Sequence, residues 1–256
     1  MRKVLVVLFL GLCTLLPARL GRGATGEGLE VPDTLQAGEG VFQPKSPHET
    51  VEEFGVGKLE SVRLNEDGTV YSIYGDINRG ITATDPVEQC YQLLELHKDL
   101  FGLVNPREEM QSYRADERVV KLQQYHLGLK VQHGGYNVHF RDGKLTGLNG
   151  HVYPQARQVH SATPTITKEQ AFQIAKADIL LNGAERLENT PFGFTGEPLE
   201  DVVIKEEDVV LGSAELLLTD TESGGFVLAW ELWTHYFQYF IDASTGRIIK
   251  YYMPIG

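Results

Sequence analysis

The sequence predicts an α+β chain in two units, each a helix packed on an antiparallel sheet. Three observations carry this. Val119 to Tyr153 alternates apolar and polar residues around turn signals, as a three-stranded meander does. Two apolar stripes at helical spacing follow Asp85 and Thr167. From Ala214 onward the pattern is almost continuously that of strands.

At the start, Arg2 and Lys3 precede the apolar run Val4 to Leu16, and small residues follow at Ala18, Gly21, Gly23 and Ala24. That layout predicts a secretory signal peptide over residues 1–23, whose apolar run is too short to span a bilayer comfortably. Cleavage after Ala18 fits as well as cleavage after Gly23. Leu12 is too bulky for the small residue that lipoprotein processing at Cys13 would want. Residues 24–56, broken by glycines and prolines, read as a flexible linker.

The chain of 256 residues is 42% hydrophobic and 23% charged, enough to bury a core. Its formal charge is −12, and loss of residues 1–23 removes four cations and no acid, leaving −16. Such a charge argues against nucleic acid or an anionic membrane as partner. Of the two cysteines, Cys13 leaves with the signal, so Cys90 has no internal disulfide partner.

Gly57 to Gly75 holds two alternating runs around Asn65-Glu66-Asp67-Gly68, a hairpin signal. Asp85 as N-cap, Pro86 at the first helical position and Glu88 start a helix. Its stripe is Val87, Cys90, Tyr91, Leu94, His97 and Phe101, and Gly102 ends it. In the meander His126-Leu127-Gly128 is a turn, Gly134-Gly135 a bulge or close backbone approach, and Asp142-Gly143 a hairpin turn. Pro154 to Pro164 is polar and marks a domain boundary. Thr167 and Gln170 form a second capping box, and the helix after it carries Ala171, Phe172, Ile174, Ala175 and Ile179 before a stop at Asn182-Gly183.

Gln124, Gly128, Val131, Gly134, Gly135, His139, Asp142-Gly143 and Asn149-Gly150 resemble the fungalysin/thermolysin propeptide module of thermolysin-like zinc metalloprotease precursors. Ile166 to Ala171 with Tyr239 to Gly246 resembles a PepSY domain, the second part of the same pro-regions. The resemblance implies a propeptide module over 57–153 and a PepSY-like domain over 154–256, both cystatin-like. It also implies that the motif residues are structural.

A thermolysin-like active site needs H-E-x-x-H on a helix. His48-Glu49-Thr50-Val51-Glu52 has Glu52 where the second His must stand, and it lies in the linker. The family pattern continues into a catalytic domain, whereas this sequence stops at Gly256. The expectation is therefore a non-enzyme with no cofactor. Gly21 to Gly26 spells GxGxxG without a strand before it or a helix after it. His126, His133, His139, His151 and His160 cluster in sequence but lack an acid or thiol to complete a ligand set. Cys90, on an apolar helix face, reads as a buried thiol. The aromatic run from Trp230 to Phe240 with Tyr251 and Tyr252 suits strand packing and, where exposed, binding.

The signal peptide predicts a secreted protein, extracellular or periplasmic, and the resemblance implies that it binds a thermolysin-like metalloprotease as inhibitor or folding helper. Tyr251, Tyr252, Met253, Pro254, Ile255 and Gly256 would form the tail that enters the substrate groove. Two alternatives are a module that binds a cell-envelope ligand or protein, and a truncated protease precursor without its catalytic domain.

Overall fold

A computed structural model describes residues 52, 54, 58–188 and 202–253. The expected signal peptide, nearly all of the expected linker, the GxGxxG run and His48-Glu49 lie outside them.

The strands are β1 Leu59–Leu64, β2 Val70–Gly75, β3 Met110–Ala115, β4 Val119–His126, β5 Leu129–Arg141, β6 Lys144–His151, β7 Leu211–Asp220, β8 Phe226–Thr234, β9 Gln238–Asp242 and β10 Ile248–Tyr252. The helices are α1 Pro86–Leu96, α2 Pro106–Glu109 and α3 Lys168–Glu188. The strands share one hydrogen-bonded order, β1-β2-β6-β5-β7-β8-β9-β10, with β4 pairing β5 and β3 pairing β4.

This corrects the expected architecture. Two separate helix-on-sheet, cystatin-like units are not what the chain forms. It is mostly sheet, with three helices among the described residues, one of them a single turn. The physical reason is β5. Its 13 residues change partner along their length: Gly135 to Arg141 pair with β6, while Val131 pairs in parallel with Leu218 of β7. Around that crossing Val131, Ala156, Leu218, Leu228 and Ala243 form a buried apolar cluster, so the join is packed, not open. Gln132 adds a buried side-chain hydrogen bond from Thr219 Oγ1.

The six strands β1-β2-β6-β5-β4-β3 are strictly two-sided, as the period of two demands. Val62, Ile73, Leu148, Val138 and Val120 stand opposite one another in one cross-strand row. They face a core completed by Cys90, Leu93 and Leu94 of α1. The neighbouring row, Arg63, Ser72, Asn149, Asn137, Lys121 and Arg114, points to the other side.

Asp85 caps α1 as its sequence dictates, its side chain accepting from Glu88 N at 2.9 Å. The helix stops at Leu96, before His97 and Phe101, which pack from the turns that follow. α3 runs past Asn182-Gly183 to Glu188, burying Ala171, Ala175, Ile179, Gly183 and Leu187. Gly183 is there for closeness: a Cβ on it would lie 2.8 Å from Ile204 Cδ1 and 3.2 Å from Ile179 Cγ2.

Candidate functional site

Gln124, Gly134, Gly135 and Gly150 of the motif meet where β4, β5 and β6 run side by side. Gln124 is buried, and its amide spans Tyr153: Oε1 accepts from Tyr153 N at 2.9 Å and Nε2 donates to Tyr153 O at 3.1 Å. Gly134 leaves that amide room, since a Cβ there would lie 2.6 Å from Gln124 Oε1. Gly135 lies opposite His151 and Gly150 opposite Tyr136, and a Cβ on either glycine would overlap a backbone carbonyl, Leu122 O or Gly135 O. Gly128 and Gly143 take positive φ, 76° and 73°, in the two hairpin turns. Val131 is the parallel partner of Leu218.

His139 and Asn149 belong to a different environment, the polar side of the sheet. His139 Nε2 lies 2.7 Å from Asn149 Oδ1, and Tyr74 OH donates to the same oxygen at 3.5 Å. The Tyr74 and His139 rings stack with centroids 6.1 Å apart. Between them runs Gly147, whose cross-strand partners are Tyr74 and His139. A side chain at Gly147 would overlap the Tyr74 ring. The backbone thus makes a shallow seat in which an aromatic ring, an imidazole and an amide are held together.

Of the tail, Tyr251 and Tyr252 lie within β10, opposite Tyr239 and Gln238. They are 39% and 46% exposed, and Met253 packs against the apolar cluster that α3 makes with β8 and β9, among Ala175, Ile179, Leu232 and Tyr239. Pro254, Ile255 and Gly256 lie outside the described residues. The Arg186 guanidinium sits 4.0 Å from the Tyr251 ring centroid. Arg186 is in turn held by Asp178, at 2.5 Å, and Asp178 also accepts from Tyr239 OH at 2.7 Å and Asn182 Nδ2 at 2.6 Å. Burial pulls the Asp178 carboxyl upward, but these donors and the Arg186 charge outweigh it and lower it below the usual range. Asp178, Asn182 and Arg186 recur every four residues along α3, a stripe the sequence shows but a helix ended at Asn182 hides.

The other imidazoles find separate partners. His126 Nε2 is 2.9 Å from Val159 O, His151 Nε2 is 3.4 Å from Asp67 Oδ2, and His133 is exposed with φ 59°. Among the described residues no three His, Cys, Asp or Glu are grouped to hold a metal ion. Cys90 is fully buried, and burial followed by the Asp85 charge pushes its thiol up to about 12. Of the aromatic run, Phe237, Tyr239 and Phe240 are core, while Trp233 is 41% exposed. Among the described residues no helix is long and apolar enough to cross a membrane.

Residues 117–152 match the family model of the Fungalysin/Thermolysin Propeptide Motif. No curated protein matches the chain. Among solved structures, the Bacillus megaterium YpeB C-terminal domain aligns at 13% identity over 82% of this chain and 98% of that one, with a TM-score of 0.33. The β4-β5-β6 meander, with its bracing glutamine and its close-packed glycines, is therefore similar to a propeptide motif.

Proposed function

We propose that this is a secreted, non-catalytic pro-domain-like protein that binds a thermolysin-like zinc metalloprotease, inhibiting it or helping it to fold. Residues 57–153 serve as the propeptide module and 154–256 as a PepSY-like domain. The match of residues 117–152 to a propeptide motif carries this reading. The signal-peptide pattern of residues 1–23 supports secretion.

The tail Tyr251 to Gly256 is the inhibitory element. The Arg186 stack on Tyr251 supports this, because it fixes the strand from which the tail departs. A strand held in place loses less freedom on binding than a free peptide does. Pro254, with its fixed φ, limits the freedom of the next step of the chain, and the substrate groove of the protease is the place this reading gives to the residues after it.

The test is a titration of the secreted chain into a purified thermolysin-like protease of the same organism, following cleavage of a small peptide. Saturable inhibition that disappears when Met253 to Gly256 are deleted is the expected result. If the chain neither inhibits the enzyme, nor forms a complex with it, nor raises its refolding yield, the reading is wrong.

A further inference from the structure

Resting on that protease-binding reading, we propose that the polar face of the six strands β1-β2-β6-β5-β4-β3 is the docking surface for the partner protein, and that it receives an acidic patch of that partner.

The face is ordered by the sheet itself. Arg63, Ser72, Asn149, Asn137, Lys121 and Arg114 line up across six consecutive strands without one apolar member. Ser61, Tyr74, Gly147, His139 and Val119 form the row beside them. At about 4.8 Å per strand the six span roughly 24 Å. That approaches the width of a standard protein interface of roughly 800 Å² per partner.

Its charge is opposite to that of the chain. Acids outnumber cations 35 to 23 in the sequence, yet the first row has three cations and no acid. Arg63 and Lys121 have no ion-pair partner among the described residues. Arg114 faces Asp116 at 3.7 Å with both side chains exposed. Arg141, two residues beyond His139 on β5, is exposed and also has no ion-pair partner among the described residues. Acids stand at its margins: Asp116 beside Arg114 at one end, and Glu60, Asp76 and Asp142 in a cleft with Tyr74, Arg141 and Thr146 at the other.

The consequence is orientation. An acidic patch is repelled by a chain of net charge −16 as a whole and attracted where cations stand in one row with no acid among them, as Arg63, Lys121 and Arg114 do, so encounters are steered to this face. There it meets groups already fixed for hydrogen bonding. The Tyr74 ring, His139 and Asn149 are held by one another, and a preordered tyrosine is the kind of residue that dominates interface energies. An unpaired surface cation that gains a carboxylate loses little, since it gives up no existing pair.

The test uses the full secreted chain, wild type and with Arg63→Glu and Lys121→Glu together, against the thermolysin-like protease of the same organism. Lys98→Glu with Lys205→Glu is the control, because both lysines are exposed, lie off this face and give the same change in net charge. Circular dichroism and melting select variants that fold; if the reversal does not fold, Arg63→Gln with Lys121→Gln replaces it. The neutral pair takes Lys98→Gln with Lys205→Gln as its control, and the expected result is a Kd raised roughly 10-fold or more by the face reversal and by under about twofold in the control. Equal losses in both, or no loss in either, overturn the docking surface while leaving the protease-binding reading intact. Failure of the wild-type chain to bind overturns both. Binding of an anionic polysaccharide through Arg63 and Lys121 with no protease complex overturns the assignment to a protein partner.

Discussion

Gln124 holds Tyr153 by both of its backbone groups, N and O, from one buried amide. The two residues lie at opposite ends of the meander, so this side chain closes it. Gln124→Ala should cost about 1–3 kcal/mol, since two part-buried backbone groups lose their partner. Gln124→Glu should be worse at neutral pH, because a carboxylate can accept from Tyr153 N but cannot donate to Tyr153 O. Protonation restores the donor, so this variant should gain stability as pH falls toward the carboxyl pKa, the reverse of the wild type. Urea melts of the two variants from pH 7 to pH 4 check it.

Gly150→Ala should unfold the meander or cost more than about 3 kcal/mol, as its Cβ would overlap Gly135 O on the neighbouring strand. Gly143→Ala meets nothing within 4 Å, and its cost comes only from φ at 73°, about 1 kcal/mol. The difference between the two melting temperatures is the measurement.

Arg186→Ala should loosen β10. Loss of the stack on Tyr251 removes about 1 kcal/mol, while Asp178 keeps Tyr239 and Asn182 as donors. Amide hydrogen exchange should quicken in Ile248–Tyr252 and stay unchanged in β4 and β5. Arg186→Lys should recover little, because an ammonium lacks the planar face that lies over the ring.

Asp67 sits under His151 and Thr69. Burial raises its carboxyl, but hydrogen bonds from His151 and Thr69 prevail and bring it to about 2. A carboxyl lowered on folding stabilises the native state above its unfolded pKa and loses that contribution as pH falls through the folded value. The window is therefore about pH 4 to 2. After allowance for solvent screening the contribution is about 1 kcal/mol. Asp67→Asn should flatten that part of the stability profile in a pH series of thermal melts.

The Cys90 thiol, buried and pushed up to about 12, should not react with a thiol reagent in the native protein at pH 8. In denaturant the secreted chain should titrate one thiol, and a chain that kept its signal segment, with Cys13, should titrate two. The same measurement thus reports processing.

The meander was legible because its turns are chemical. Asp142 and Gly143 both take positive φ, 52° and 73°, as their pairing in sequence implies. The Asp85 cap is legible for the same local reason. What was not legible depends on distant residues. Asn182-Gly183 is a sound local stop, overridden because Gly183 must let Ile204 and Ile179 approach. β3 escaped because Gln111, Tyr113 and Arg114 are exposed and its pattern arises only from pairing with β4. The single sheet escaped because nothing in β5 announces that Val131 will pair with Leu218. His139 and Asn149 stood out within the motif, whereas Tyr74 and Arg63 did not, since they join that face from another hairpin.

The pairing of β5 with β7 also sets a schedule. Gln132 and Thr219, neighbours in the finished sheet, are 87 positions apart in the chain. At synthesis rates of roughly 5–20 residues per second, the first half of β5 waits about 4–17 s for its neighbour to be made. During that interval Leu129 to Gln132 present an unsatisfied edge to any other extended segment nearby. Crowding of nascent chains, or slowed translation between residues 133 and 217, should therefore drive aggregation more strongly than the stability of the completed molecule would suggest.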